Sequence, residues 1–275
     1  MSIKSILALY SGDAQGSSGL QLALLMARKY DAHLTAAVWH GPSVMEGRYG
    51  RYMNQDILDI LASRDASAVA EMRADFETRI AGEPGLRASF LDLQAPSGIS
   101  LSDSARGYDI VVMGGRVAAV GREHFTARPE VVALHSGRPL ILVPQEYRAT
   151  EINDHALVAW DGKRAAARAL GDAMHILETK MRVTVLSVGE ESQIRKAPGD
   201  DIMTLLERHG IPAQRLFRPV SRDGIARTIL DTCTEVGAGL LVMGAYEHSK
   251  FSEDILGGVT RDIFERANLP VFLSH

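Results

Sequence analysis

The sequence predicts an α/β protein built from two tandem five-stranded parallel sheets, each flanked by helices. Three observations support this fold class. Short apolar runs rich in β-branched residues alternate with longer segments of helical periodicity, which is the pattern of βαβ units. The same pattern occurs twice in the same order. The chain has 275 residues, of which 46% are hydrophobic, so it has enough apolar material for two ordinary cores.

Each half contains five predicted strands. Those of the first half are Ser5–Tyr10, Leu34–Trp39, Arg87–Leu93, Asp109–Met113 and Pro139–Val143. Those of the second half are Ala156–Trp160, Arg182–Val188, Gln214–Pro219, Leu240–Met243 and Val271–Leu273. Two strand orders, 3-2-1-4-5 and 2-1-3-4-5, are common for such Rossmann-like sheets, and we expect 3-2-1-4-5. In that order the first and fourth strands flank the point of reversal, where ligands bind.

The two halves also resemble each other residue by residue. Tyr108–Gly115 reads YDIVVMGG and Ala238–Ala245 reads AGLLVMGA, while the last strands lie in GRPLILVP and NLPVFLSH. A repeat of this length indicates a duplicated domain. We therefore predict domains at residues 1–147 and 153–275, separated by a polar stretch without periodicity.

The halves differ most in residues 41–86, which have no counterpart of equal length in the second half. This segment starts with a stretch rich in Gly, Arg and Tyr and continues with helical periodicity. It is interpreted either as a longer helix with a surface loop, or as a lid or partner-docking loop.

Composition excludes several classes of protein. The net charge of −4 and the pI of about 6.1 argue against binding to nucleic acid or to an anionic membrane. No apolar run approaches the roughly 20 residues of a membrane span, and the N-terminus does not resemble a signal peptide. Cys233 is the single cysteine, and the histidines lack metal-ligand spacing. We therefore expect a cytoplasmic protein without a metal site.

Candidate ligand-binding residues follow the first and fourth strands of the second half. Asp161 comes directly after a strand, where its carboxylate either accepts hydrogen bonds from ribose hydroxyls or an amine, or caps the following helix. After the fourth strand, Gly244 allows a tight turn. Gly257 and Gly258 then open the last helix, where exposed backbone N–H groups and the hydroxyl of Thr260 favour an anion.

The run Met243–His275 resembles the C-terminal signature of the universal stress protein family. That signature is Gly, two residues, Gly, nine residues, Gly, and then Gly, Ser or Thr. Gly244, Gly257 and Gly258 match it at the right spacing, whereas Glu247 stands where the second glycine is expected. The resemblance implies the five-stranded HUP-type sheet of that family, here duplicated.

The resemblance also implies a nucleotide, ATP or AMP with or without Mg²⁺, in the second half. In nucleotide-binding members the loop and helix start hold the phosphates, the aspartate holds the adenosine, and the end of the second strand contacts adenine. With two neighbours in the same turns included, the implied binding residues are Trp160, Asp161, Val188, Met243, Gly244, Tyr246, Gly257, Gly258, Val259 and Thr260. No catalytic residue is implied.

Glu247 argues against tight ATP binding. A carboxylate a few ångströms from a phosphate repels it by about 1–4 kcal/mol per charge pair, depending on screening. We therefore expect that ATP binding is weakened, or that AMP, adenosine or another ligand replaces it.

The first half departs further from the signature. No Gly pair opens its last helix, where Phe125 to Pro129 stand instead. Its Gly/Ser-rich loop at residues 11–19 either cradles an anion or is a flexible connection. We expect this half to be structural, or to bind something other than ATP.

Two other functions remain open on the sequence. One is an enzyme with slow ATP hydrolysis or adenylyl transfer, for which Glu247 is the only local base. The other is an interaction scaffold without a ligand. The two domains are expected to form an internal pseudo-dimer through their apolar last strands, because exposed edges tend to be paired. Association of two chains as a homodimer is left open.

Overall fold

The structure is a computed structural model of the chain. It describes residues 3–11, 17–42, 44–94, 100–115, 123–125, 127–148, 150–190, 201–245 and 258–275.

Ten strands and nine helices lie in these residues. The strands are β1 (Ser5–Leu9), β2 (His33–His40), β3 (Ala88–Gln94), β4 (Ile110–Gly114), β5 (Leu140–Val143), β6 (His155–Ala159), β7 (Arg182–Val188), β8 (Ala213–Arg218), β9 (Leu240–Gly244) and β10 (Val271–Ser274). The helices are α1 (Ser17–Tyr30), α2 (Val44–Tyr49), α3 (Gln55–Ala81), α4 (Leu101–Ala105), α5 (Pro129–His135), α6 (Arg164–Leu177), α7 (Ile202–Arg208), α8 (Ile225–Val236) and α9 (Gly258–Arg266).

All ten strands form one sheet in the order β3-β2-β1-β4-β5-β10-β9-β6-β7-β8. Within each half the strands are parallel and follow the predicted order 3-2-1-4-5. The two halves meet where β5 and β10 pair antiparallel, with Leu142 opposite Val271 and Leu140 opposite Leu273. The predicted pairing of the last strands is therefore confirmed. The expectation of two separate sheets is corrected to one continuous sheet, because this pairing gives each apolar edge a hydrogen-bonded neighbour.

Helices cover both faces of the sheet, as parallel strands require. The core on one face includes buried residues of α1, α3, α6 and α7. The core on the other face includes buried residues of α4, α5, α8 and α9. Side chains alternate between the two cores along each strand, so Ile6 and Ala8 point to the first core while Leu7 and Leu9 point to the second.

The last residue of α1 approaches the residues that follow α6 across the seam between the halves. The hydroxyl groups of Tyr30 and Thr179 lie 3.3 Å apart. Lys180 is buried, and its ammonium group donates a hydrogen bond to the backbone oxygen of Asn153. Burial, with a smaller contribution from the nearby charge of Lys29, lowers the pKa of Lys180 to about 8.

Most of the long segment of the first half is the 27-residue helix α3. The side chain of Asn54 caps it by accepting a hydrogen bond from the Ile57 N–H at 3.0 Å. Only the C-terminal part of α3 packs in the core, through Ala68, Met72 and Phe76. The helical interpretation of this segment is thus confirmed. None of the helices in the described parts of the chain is long and apolar enough to cross a membrane.

Candidate functional site

The candidate site lies at the carboxyl ends of β6 and β9, where the strand order of the second half reverses. The two strands are parallel neighbours, and Val158 is in register with Val242. The turn at Asp161 therefore emerges beside the end of β9 at Gly244. The helix α9 lies between β9 and the parallel strand β10, so it also begins at this edge. The helices α6 and α9 cover opposite faces, and their amino ends both face the edge.

Gly244 is required by a close approach between β9 and α6. A Cβ atom at this position would lie 2.4 Å from the carbonyl carbon of Ala165 and 2.6 Å from the backbone nitrogen of Ala166. Backbone atoms of a helix cannot retreat from such a contact, so only glycine fits. The sequence assigned Gly244 to a tight turn, whereas its structural role is to let the first turn of α6 cross the strand end.

Asp161 is exposed and shapes the turn before α6. Its Oδ1 accepts a hydrogen bond from the Lys163 N–H at 3.0 Å, and Gly162 has a φ of 73°. The N-terminal cap of α6 is Lys163, and no side chain caps it. The alternative that Asp161 caps α6 is therefore wrong, because the carboxylate bonds within its own turn. The side chain of Lys163 also approaches this carboxylate, with Nζ 3.8 Å from Oδ2.

Trp160 and Val188 lie on either side of this turn, each partly buried against a different core. The backbone of Trp160 is held at both ends. Its N–H donates to the Leu186 oxygen at 2.8 Å, and its oxygen accepts from Oγ of Ser187 at 2.8 Å. The sequence did not single out Ser187 or Lys163. Lys163 stands in the same turn as Asp161, but the role of Ser187 depends on the register of β6 and β7.

At the start of α9, Gly258 is exposed and packing does not require it to be glycine. A Cβ atom there would have no heavy atom within 4 Å. Val259 packs partly against the core, and Thr260 is buried. Met243 is also buried, so only its backbone is positioned to face a ligand. Three residues named from the sequence, Tyr246, Glu247 and Gly257, lie outside the described residues.

The C-terminus fixes the chain just beyond β9. The N–H of Ala245 donates to the Ser274 oxygen at 2.8 Å, and Nδ1 of His275 lies 2.9 Å from the Ala245 oxygen. Oγ of Ser274 donates to Asp172 of α6 at 2.5 Å. These contacts join β9, β10 and α6 at the same edge, and no local sequence pattern predicted them.

The described residues at this edge offer both hydrogen-bond acceptors and donors. Asp161 offers an exposed acceptor, while the first turn of α6 and the open start at Gly258 offer backbone donors. Such a set fits hydroxyl groups and an anion. Within the described ranges, no group of three or more His, Cys, Asp or Glu side chains is placed to hold a metal.

Comparison with known proteins identifies the relationship. A universal stress protein from Synechocystis sp. is 23% identical over 177 residues, which are 62% of this chain and 59% of that relative. The chain is homologous to universal stress proteins. Because the match spans less than two thirds of that relative, it carries over no activity or partner. No family model matches the sequence.

Solved structures extend the likeness in fold to the whole chain. A universal stress protein from Archaeoglobus fulgidus DSM 4304 has a TM-score of 0.69 at 17% identity, and the alignment covers 98% of this chain and 96% of that chain. A structure from Pseudomonas aeruginosa UCBPP-PA14, provisionally assigned to the same family, has a TM-score of 0.62 at 15% identity and covers 99% and 93%. The tandem arrangement is thus shared with universal stress protein structures of similar length.

The first half repeats the close contact between its first helix and its fourth strand. Here the contact requires a glycine in the helix, whereas in the second half it requires one in the strand. A Cβ atom at Gly19 in α1 would lie 2.5 Å from the backbone nitrogen of Gly114 at the end of β4. Tyr10 takes the place of Trp160, since its N–H donates to the Ala37 oxygen at 2.9 Å. The close contact between the first helix and the fourth strand and the hydrogen bond after the first strand are therefore common to both halves.

Side chains fill the matching edge of the first half. A 3₁₀ turn at Glu123–Phe125 lies over the end of β2, where the Gly41 N–H donates to the His124 oxygen at 3.2 Å. The buried ring of Phe125 stacks on His40 with 4.9 Å between ring centroids. This turn therefore covers the strand end that the resemblance assigns to adenine contact.

Two His–carboxylate pairs hold this covering in place. Nε2 of His40 lies 3.0 Å from Oδ1 of Asp92, and Nε2 of His124 lies 3.0 Å from Oδ1 of Asp65 in α3. The side chains of both histidines are less than 10% exposed. These pairs tie β2, β3, α3 and the 3₁₀ turn together.

A third contact closes the turn after β1. Tyr10 is buried and donates a hydrogen bond to Asp75, whose carboxylate also accepts from Nε of Arg79 at 2.8 Å. Burial, followed by the hydrogen bond to Asp75, raises the pKa of the Tyr10 phenol. The sequence missed this cluster, because its members lie 65 and 69 residues from Tyr10.

Proposed function

We propose that this chain is a nucleotide-binding stress-response module that binds AMP or ATP at the carboxyl edge between β6 and β9. The observation that carries the proposal is the contact of Gly244 with the first turn of α6. This contact sets the amino end of a helix and the Asp161 turn beside the end of the neighbouring strand. Both sit at the topological switch point, where α/β sheets bind ligands.

Each part of the proposed site has a chemical role. The carboxylate of Asp161 accepts hydrogen bonds from the ribose hydroxyls, and its exposure leaves it accessible to them. Trp160 and Val188 form apolar walls for the base. The start of α9, with Gly257, Gly258 and the backbone of Val259, supplies donors for phosphate. The Thr260 hydroxyl, the backbone of Met243 and Gly244, and Tyr246 complete the set.

We propose that AMP binds more tightly than ATP. Glu247 stands where the family signature has a glycine, and each added phosphate brings more negative charge towards its carboxylate. The expected ratio of ATP to AMP dissociation constants is about 10, which corresponds to about 1.4 kcal/mol. The Glu247→Gly variant should bring the two dissociation constants closer together.

We further propose that the halves are two domains, residues 1–147 and 153–275, acting as an internal pseudo-dimer in the cytoplasm. Only the second domain carries a nucleotide site. The filled edge of the first domain supports this division of roles. No catalytic step is part of the proposal. An ATPase activity that is lost in Glu247→Gln would favour an enzyme instead.

Isothermal titration with AMP tests the proposed site. The Asp161→Asn variant should bind AMP at least about tenfold more weakly, because hydrogen bonds to a charged group contribute about 1.5–3 kcal/mol. Asp231→Asn is the matched control, since the Asp231 side chain is 55% exposed and that of Asp161 is 53% exposed. Equal AMP affinity in wild type and Asp161→Asn would contradict the proposal, as would absence of binding by wild type.

A further inference from the structure

The N-terminal part of the long first-half segment projects from the body of the protein. We call residues 46–67 the arm. None of its 22 residues is buried. The first thirteen residues of α3 belong to the arm and span about 20 Å at 1.5 Å per residue. A helix of this length is marginal in water without packing. Asp65, near the C-terminal end of the arm, ties it to His124, whereas the residues before it leave most of their surface exposed.

The arm also concentrates exposed apolar side chains. Tyr49, Tyr52, Ile57 and Ile60 are 55%, 77%, 45% and 66% exposed. They are four of the nine large hydrophobic residues that are exposed within the described part of the chain. Ile57 and Ile60 are three residues apart and therefore share one side of the helix. A cluster of this kind on a protein surface marks an interaction site.

The two ends of the arm carry net charges of opposite sign, +1 over residues 46–54 (Glu46, Arg48, Arg51) and −2 over residues 55–67 (Asp56, Asp59, Arg64, Asp65). Arg48 and Arg51 flank the tyrosines, whereas Asp56 and Asp59 lie in the first turns of α3. The guanidinium of Arg51 lies 5.5 Å from the centre of the Tyr52 ring. A twofold axis that reverses one arm against another brings the basic end of each copy to the acidic end of its partner. The same patch then serves both copies, as in an isologous interface.

We propose that two copies of this chain associate arm against arm. The tyrosines and isoleucines form the apolar centre of the interface, and the arginines of one copy face the aspartates of the other. This proposal is independent of nucleotide binding, because the arm lies in the first half and away from β6 and β9.

Sedimentation velocity on the full chain tests the proposal. Wild type should sediment as a species of twice 29.9 kDa, and the Tyr52→Asp/Ile60→Asp variant should sediment at 29.9 kDa. Met181→Asp is the control, because Met181 is 77% exposed but lies outside the arm, and it should remain dimeric. Circular dichroism should show that both variants keep the helix content and the cooperative melting of wild type. Wild type that remains a monomer at about 100 μM, a concentration between the micromolar and millimolar dissociation constants of weak complexes, would overturn the proposal.

A charge exchange tests the arrangement of the two copies. Asp56→Lys/Asp59→Lys and Arg48→Glu/Arg51→Glu should each be monomeric, because each then opposes like charges across the interface. An equimolar mixture of the two should recover the dimer. Failure of the mixture to dimerise, or dimers in either variant alone, would overturn the arm-against-arm pairing. If the arm instead bound a different protein, purified wild type would remain monomeric. Observation of a wild-type dimer therefore excludes this alternative.

Discussion

At the carboxyl end of β2 the first half carries His40, whereas strand register places Gly189 at the matching end of β7 in the second half. On the neighbouring strands, Asp92 of β3 likewise matches Phe217 of β8. The His40 side chain supports Phe125 and bonds to Asp92, while Gly189 adds no side chain to its edge. Internal contacts therefore close this strand end in the first half, whereas the matching position of the second half, Gly189, contributes no side chain.

The difference supports the proposed division of roles, in which the first half is structural and the second half binds the nucleotide. Both halves keep the close contact between the first helix and the fourth strand, through Gly19 in one and Gly244 in the other. In the first half, the 3₁₀ turn that follows the fourth strand packs over the end of β2.

The largest expected effect comes from Gly244→Val. The new side chain would meet the backbone of α6, so the free energy of unfolding should fall by about 3 kcal/mol or more, and AMP binding should be lost. Chemical denaturation measures the change. Gly171→Ala in the same helix is the control, because a Cβ there meets nothing within 4 Å and alanine should stabilise by about 1 kcal/mol. Unchanged stability of Gly244→Val would show that α6 and β9 do not approach as described.

A smaller effect is expected when the side chain that covers the end of β2 in the first half is removed. Phe125→Ala removes a buried ring and should lower the free energy of unfolding by about 2 kcal/mol, because a short 3₁₀ turn partly collapses into the space. AMP affinity should not change, since the proposed site lies in the other half. Thermal unfolding and titration calorimetry on the same sample measure both quantities. A large loss of AMP affinity would place the ligand in the first half.

The smallest effect concerns Lys180, which follows α6 at the seam between the two halves and is buried there. Burial lowers the pKa of Lys180 to about 8 from an ordinary value of 10.5. Between these pH values the folded state binds fewer protons than the unfolded state. The unfavourable contribution of Lys180 to the free energy of folding therefore decreases as pH rises from 8 to 10.5. At pH 7 the charged amine is a cost, and Lys180→Met should raise the free energy of unfolding by about 1 kcal/mol.

The pH dependence distinguishes this effect from a simple gain in packing. The advantage of Lys180→Met over wild type should shrink between pH 8 and 10.5, as measured by urea unfolding at several pH values. Comparing the two proteins at each pH cancels groups common to both, such as Cys233, whose pKa burial raises to about 12. A constant difference across this range would mean that Lys180 does not titrate in the folded state as stated.

Local sequence patterns were sufficient for the framework. All ten strands were placed within one residue at each end, because each is a short apolar run between polar turns. Parallel βαβ units left two strand orders open, and the expected order 3-2-1-4-5 is the one observed. The division into domains at 1–147 and 153–275 stays a prediction. The continuous sheet depends on the pairing of β5 with β10, where Ile141 and Phe272 are in register although they are 131 residues apart in the chain. Only the edge argument anticipated this pairing.

The details of the two edges depended on contacts that no local pattern reveals. His124 and Asp65 are 59 residues apart, and His40 and Asp92 are 52 apart. The close approach at Gly244 likewise involves Ala165 and Ala166, far away in sequence. At Asp161 the residue was found from its position after β6, but its bond to Lys163 depends on the positive φ of Gly162.

A crystal structure of the chain grown with AMP tests the central claim most directly. The account predicts one AMP per chain at the ends of β6 and β9, with the Asp161 carboxylate bonded to the ribose hydroxyls and the first-half edge still covered by Phe125. An AMP molecule at the ends of β1 and β4, with the Glu123–Phe125 turn displaced, would contradict it.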